Sequence, residues 1–179
     1  ALLLTVPAAA ALITIPGPLI QVLFERGAFG PAATGATAAA LAAYATGLPA
    51  YVLIKVLGPG FYTRKDIRTP VKFAIIAVVV NVILNLLLMG PLKHVGLALA
   101  TSLSSWLNVI LLATTLARRG VLKGDARLRR RLPRTVGAAL VMAVGLWAAA
   151  WGLKPLMAAG GGQRIAAVVA MVAGGLAGF

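Results

Sequence analysis

The sequence predicts an all-α membrane protein, a polytopic bundle of about six transmembrane helices. Three observations predict it. Of 179 residues, 61% are hydrophobic and only 11% charged, with a mean hydropathy of +0.98; a soluble domain carries about 25% charged residues. The apolar residues fall in runs near the length of about 20 that a membrane-crossing helix needs. The cations gather in the breaks between those runs, where loop charge fixes helix orientation.

The first predicted span covers residues 1–24 and holds Pro7, Pro16 and Pro18. Three missing backbone donors imply a kinked or broken helix, tolerated where neighbours re-satisfy the freed carbonyls. The second covers about 36–57, with Gly47 and Pro49 near its middle. A turn is expected at Gly58-Pro59-Gly60, followed by a basic hinge. The third runs from about 71 to 89, the fourth from 95 to 116 and the fifth from about 136 to 153. A sixth starts near Ile165 and stops at Phe179, too short to cross as given. Both termini fall inside apolar runs and no basic leader precedes the first, so the chain reads as a piece of a longer protein. Three parts follow: residues 1–117 with four spans, a basic loop over 118–134, and a final pair of spans over 135–179.

The loops after spans two and four hold Arg64, Lys65, Arg68, Lys72, Arg118, Arg119, Lys123, Arg127, Arg129, Arg130, Arg131 and Arg134, twelve cations in all. The loops after spans one, three and five hold four: Arg26, Lys93, Lys154 and Arg164. Cytoplasmic loops carry the excess, so the twelve are assigned inside and the C-terminus with them. This distribution also accounts for the net charge of +14 without nucleic acid, since no basic face with interleaved aromatics is present.

Little in the chain can do acid–base or metal chemistry. There is no cysteine and one histidine, His94; the acids are Glu25, Asp66 and Asp125. No nucleophile–base set, metal-spaced cluster or phosphate-binding glycine loop is found. Asp66 lies among Arg64, Lys65 and Arg68 and reads as an acid paired within its loop.

Four features could carry function or packing. Lys55 is the only charge well inside a span; its stem can snorkel to the interface, or its ammonium can face a wet cavity and attract an anion. Asn81 and Asn85 share a face of span three at i and i+4. Thr101, Ser105 and Asn108 on span four could partner them, with Ser102 and Ser104 beside that face. Such amides and hydroxyls either bind the two helices together or offer hard oxygens to an alkali ion. Gly96, Ala100 and Ser104 form a small-residue stripe expected at a close helix contact. The basic loop suits either topological anchoring or anionic lipid headgroups.

Three segments carry a resemblance: GPLIQVLFERGAF (17–29), KVLGPGFYTRKDIRTPVK (55–72) and GPLKHVGLALATSLSSWLN (90–108). They resemble the MurJ/MviN family of bacterial lipid II flippases, within the multidrug/oligosaccharidyl-lipid/polysaccharide exporter superfamily. The resemblance is close to about residue 120 and compositional beyond. It implies fourteen helices in two facing lobes arranged as a V, with two C-terminal helices forming a lipid-tail groove. This chain would be most of the second lobe plus that pair, its partner being the N-terminal lobe of the same protein. The implied function is movement of the undecaprenyl-diphosphate-linked peptidoglycan precursor to the outer leaflet of the inner membrane, for cell wall biogenesis, by alternating access and without enzymatic activity.

On that reading Lys55, Arg64, Lys65, Arg68 and Lys72 are candidates for recruiting the diphosphate headgroup, amid surrounding membrane lipids. Asn81, Asn85 and Thr101 fall where some members hold a coupling Na+, although no acid accompanies them here. The alternative cargoes are another lipid-linked oligosaccharide or a drug-like cation. A membrane transferase using Asp66 and a scaffold for wall-synthesis proteins are the readings from other classes.

Overall fold

The computed structural model describes residues 2–24, 30–120, 126–152, 168–170 and 174. Among these there is no strand. The elements are α1 (Leu2–Thr14), α2 (Pro16–Phe24), α3 (Pro31–Ala45), α4 (Leu48–Tyr62), α5 (Arg68–Arg118) and α6 (Ala126–Gly152).

The predicted break in the first span is the α1–α2 junction, where the helix bends by 78°. Pro16 and Pro18 cannot donate to the carbonyls of Leu12 and Thr14, which removes two rungs at the same place. Ile15, at the bend, is 1% exposed and packs on Met142 and Leu146 of α6. The bend is therefore seated in the contact between α1 and α6.

The second span is α3 and α4, interrupted at Thr46 and Gly47. Pro49 sits in the first turn of α4, where its absent N–H costs nothing. The second helix does not turn at Gly58-Pro59-Gly60, as the sequence suggested. It continues through them to Tyr62. The turn falls later. Lys65 N–H donates to the Tyr62 carbonyl (2.9 Å) and Asp66 N–H to that of Phe61 (3.2 Å). Lys65 has φ 57. This is the Schellman pattern, two crossed bonds closed by one left-handed residue. Gly60 serves packing instead: a Cβ there would lie 2.6 Å from Leu116 Cδ2.

Spans three and four form the single element α5, folded on itself at Lys93 (φ 49, ψ −125). Its first arm runs up to Lys93 and its second arm away from it. The arms press together so tightly that a Cβ on Gly96 would collide with the Leu88 carbonyl. The expected stripe of Gly96, Ala100 and Ser104 is buried. A neighbouring stripe, Ala98 and Ser102, is buried too, so the second arm has one close face for the first arm and another for α3.

The main apolar cluster lies between α4 (Ala50, Leu57, Phe61) and the second arm (Val109, Leu112, Leu116). Those positions recur at helical spacing on each partner, so two facing stripes meet. Elsewhere large apolar side chains point outward, including Val78, Val82 and Leu86 of the first arm. That inverted pattern is what a lipid solvent permits. The fifth span corresponds to α6. That helix begins at Ala126, so residues 126–134 of the basic stretch are helical. The sixth predicted span, the loop at 25–29 and residues 121–125 lie outside the described residues, apart from the helical positions 168–170 and 174.

Candidate functional site between α4 and the α5 hairpin

The α5 hairpin brings Asn81, Asn85 and Thr101 together. Asn81 Nδ2 donates to Thr101 Oγ1 (3.4 Å) and to Ser104 Oγ (3.2 Å). Asn85 Nδ2 donates to Asn81 Oδ1 (3.0 Å), as the i, i+4 spacing allows. The hydroxyls of Thr101, Ser104 and Ser105 donate to backbone carbonyls of their own helix, those of Leu97, Thr101 and Thr101. Asn81 thus joins the two arms through its amide protons, and its oxygen accepts from Asn85 on its own arm. Asn85 keeps a buried Oδ1 without a partner, and so does Asn108. The face expected to partner both asparagines of the first arm therefore reaches only one of them directly.

Beside this cluster lies a cavity of about 290 Å³, lined by Tyr51 and Ile54 of α4 and by Asn81, Thr101, Ser105 and Asn108 among the α5 residues. Lys55 does not line it. Lys55, Arg64, Lys65, Arg68 and Lys72 are all exposed, spread over α4, its turn and the start of α5. The structure therefore separates the two predicted groups: oxygens and amides in the hairpin, cations along the α4–α5 turn.

Sequence reasoning placed Asp66 in a pair within its own loop. Its partner is Arg119 instead. Asp66 Oδ2 accepts from Arg119 Nη1 at 2.6 Å and from Thr69 Oγ1 at 2.7 Å, while Oδ1 accepts the Thr69 backbone N–H at 3.1 Å. The last contact caps the start of α5. The Arg119 guanidinium also stacks over the Phe61 ring, 5.5 Å from its centroid, a favourable cation–π geometry. The Thr69 hydroxyl, then Arg119, hold the carboxyl down to about 2. The pair ties the loop after span two to the loop after span four. The α4–α5 turn and the end of the second arm thus meet at one end of the bundle.

A second connection was not legible in advance. Ser102 Oγ donates to the Ala43 carbonyl (2.8 Å) and Trp106 Nε1 to that of Thr46 (3.0 Å). These carbonyls border the α3–α4 interruption, and the two donors sit one turn apart on the second arm. Ser102 therefore faces α3 and not the asparagines. The hint available in the sequence was the coincidence of a broken span with a Ser-x-x-x-Trp pair.

The model of the lipid II flippase MurJ family matches residues 1–159. The chain belongs to that family. The match extends past residue 120, where the motifs alone ceased to be specific. A probable lipid II flippase MurJ of Rhizobium meliloti (strain 1021) is 47% identical over 159 residues, which is 88% of this chain and 30% of that protein. The lipid II flippase MurJ of Burkholderia cenocepacia is 40% identical over 141 residues, 79% of this chain and 27% of that protein. The chain thus spans under a third of the length of these MurJ relatives. A solved structure of lipid II flippase MurJ in an inward closed conformation superposes with a TM-score of 0.74 over 99% of this chain and 35% of that one, at 22% identity. At that identity the likeness speaks to fold. A MurJ-type membrane helix bundle is what the described helices form.

Proposed function

We propose that this chain is part of a lipid II flippase of the bacterial inner membrane, acting with a further lobe of the same protein. It carries the undecaprenyl-diphosphate-linked precursor to the outer leaflet by alternating access. Family membership over residues 1–159 is the observation that carries this reading. The physics fits: a diphosphate–sugar headgroup cannot cross hydrocarbon unaided, and transporters of this kind expose one cavity to each side in turn.

The charge pattern supports a role for the cations. Asp66 is the only acid among the described residues and Arg119 occupies it. Lys55, Arg64, Lys65, Arg68 and Lys72 then carry no ion pair among the described residues and attract anions, whether diphosphate or lipid headgroups. The same observation weighs against a transferase. A carboxyl held at about 2 stays ionised near neutrality and cannot serve as a general acid. Asn85 Oδ1, buried without a partner, supports a coupling cation at Asn81, Asn85 and Thr101, which Asn81 and Thr101 would join only by giving up the hydrogen bonds they make now; Asn85→Ala would then abolish sodium dependence of transport and Asn85→Asp would strengthen it.

The test is rescue of cells depleted of their own flippase by the full-length protein. Growth and appearance of labelled lipid II in the outer leaflet are expected, and loss of both in the Lys55→Ala, Arg64→Ala double variant. Failure of the wild-type protein to rescue would overturn the function. Normal growth of the double variant would remove those two residues from any essential role.

A further inference from the structure

The first and second spans are both interrupted, in different ways. α1 and α2 meet at 78°, and Ile15 at that bend is packed on Met142 and Leu146 of α6. α3 and α4 instead run on as one apolar span of 32 residues, with Thr46 (φ −64, ψ −24) and Gly47 (φ −85, ψ −17) still near helical values. The helical ladder is nevertheless interrupted at that joint. Pro49, harmless within α4, brings no N–H to the Ala45 carbonyl across it. Gly47 N–H donates three residues back, to the Tyr44 carbonyl (2.9 Å). Hydroxyls take over at Ala43, whose carbonyl accepts from Thr46 Oγ1 (2.7 Å) and Ser102 Oγ (2.8 Å). The Thr46 carbonyl accepts from Trp106 Nε1 (3.0 Å). Ser102 comes this close because Gly47 has no side chain: a Cβ there would lie 2.8 Å from Ser102 Oγ.

We propose that the Thr46–Gly47 joint is a hinge of the transport cycle, about which α3 swings against a body made of α4 and the α5 hairpin, and that Ser102 and Trp106 are the catch that holds it straight. The inference rests on the flippase reading and adds two positioning residues to it. Proline and glycine loosen a membrane helix at the point where a neighbour's side chains re-satisfy its backbone, and a joint held by a neighbour is one that the neighbour can release. The two sides of the joint are packed unequally. α4 meets the second arm through Leu57, Phe61, Leu112 and Leu116, and the Asp66–Arg119 pair ties their ends together. Large interlocked side chains hold one arrangement. The buried residues of α3 are Thr34, Ala38, Ala43 and Ala45, all small, and Ala98 and Ser102 are buried on the arm. Small residues leave shallow ridges, over which packed helices slide at low cost. Two hydrogen bonds between membrane helices are weak enough to open and re-form in each cycle.

The test uses the full-length protein, freed of any native cysteine and reconstituted in vesicles that report lipid II crossing. Thr37 and His94 line one cavity between α3 and the hairpin tip, so Thr37→Cys with His94→Cys can be joined by a cleavable bifunctional thiol reagent that fixes α3 to the hairpin. Joining should stop transport and cleavage should restore it. The same reagent across Asp66→Cys and Arg119→Cys, both on the other side of the hinge, should leave the rate unchanged. Pro49→Ala returns an N–H to the Ala45 carbonyl. It should slow transport about fivefold, the shift in a two-state equilibrium expected from one added hydrogen bond, with no loss of thermal stability. A joint that is merely structural would not be slowed by a substitution that mends it. Unchanged transport with α3 joined to the hairpin, equal arrest by both cross-links, or unchanged transport in Pro49→Ala overturns the hinge and leaves the flippase reading standing. Wild-type protein that moves no lipid II overturns both.

Discussion

Asp66 and Arg119 are 53 residues apart in sequence and 2.6 Å apart in space. Their ion pair closes one end of the bundle by joining the α4–α5 turn to the end of the second arm, with Thr69 and the Phe61 ring as further contacts. It also occupies the only acid among the described residues, leaving the described cations of that end without an acidic partner among them.

The pair has a defined pH signature. The folded carboxyl is lowered from 3.8 to about 2. Its contribution is thus fully present above the unfolded value and lost as pH falls through the folded one. Thermal unfolding of the detergent-solubilised full-length protein should include a drop between about 3.8 and about 2 that Asp66→Asn lacks. Near neutrality Asp66→Asn should unfold at lower temperature than wild type, and the two should converge in strong acid.

Lys65 closes the α4 helix with φ 57, a conformation that costs a side-chain-bearing residue about 1 kcal/mol relative to glycine. Lys65→Gly should therefore raise stability by about that amount, read as a higher unfolding midpoint. The same variant removes one cation from the headgroup candidates, so a loss of transport alongside the gain in stability would separate its two roles.

The tight glycines should differ in their tolerance of alanine. At Gly96 the new methyl would collide with a backbone carbonyl, that of Leu88. Main chain cannot step aside cheaply, so Gly96→Ala should cost about 1–3 kcal/mol. At Gly60 it would meet the far end of the Leu116 side chain, which, though buried in the α4–α5 cluster, gives way more readily than main chain. Gly60→Ala should cost less than Gly96→Ala. Equal effects at both sites would contradict the hairpin geometry.

Ser102 and Trp106 should act as a unit at the α3–α4 interruption. Each donates to a carbonyl beside the break, and hydrogen bonds between membrane helices contribute about 0.6 kcal/mol on average. Ser102→Ala and Trp106→Phe should each lower stability by roughly 1 kcal/mol. A double-mutant cycle should show coupling, because both donors hold the same joint.

Several features were legible in the sequence because their cause is local. Apolar run length marked the spans that became α1–α2, α3–α4, the two arms of α5 and α6. Prolines 16 and 18 marked the 78° bend, since a missing N–H acts on its own turn of helix. The four-residue spacing of Gly96, Ala100 and Ser104 marked a close contact, and the asymmetry of cations put two loops at one end. The turn after α4 was misplaced because Gly-Pro-Gly is a turn signal in isolation; here the helix runs on to Tyr62, with Gly60 packed close to Leu116.

The sequence by itself determined that this is a helical membrane protein of the MurJ family, and in what order its spans follow one another. Only the tertiary structure decided what each polar residue does. Asn81 joins two helices, Asn85 and Asn108 each retain a buried oxygen, Ser102 serves α3, and Asp66 finds Arg119 rather than its neighbours. The physical reason is range. Hydropathy and turn chemistry act within a few residues. A side chain's partner across a bundle depends on how helices rotate and dock over separations of 20 to 60 residues, and no local pattern encodes that.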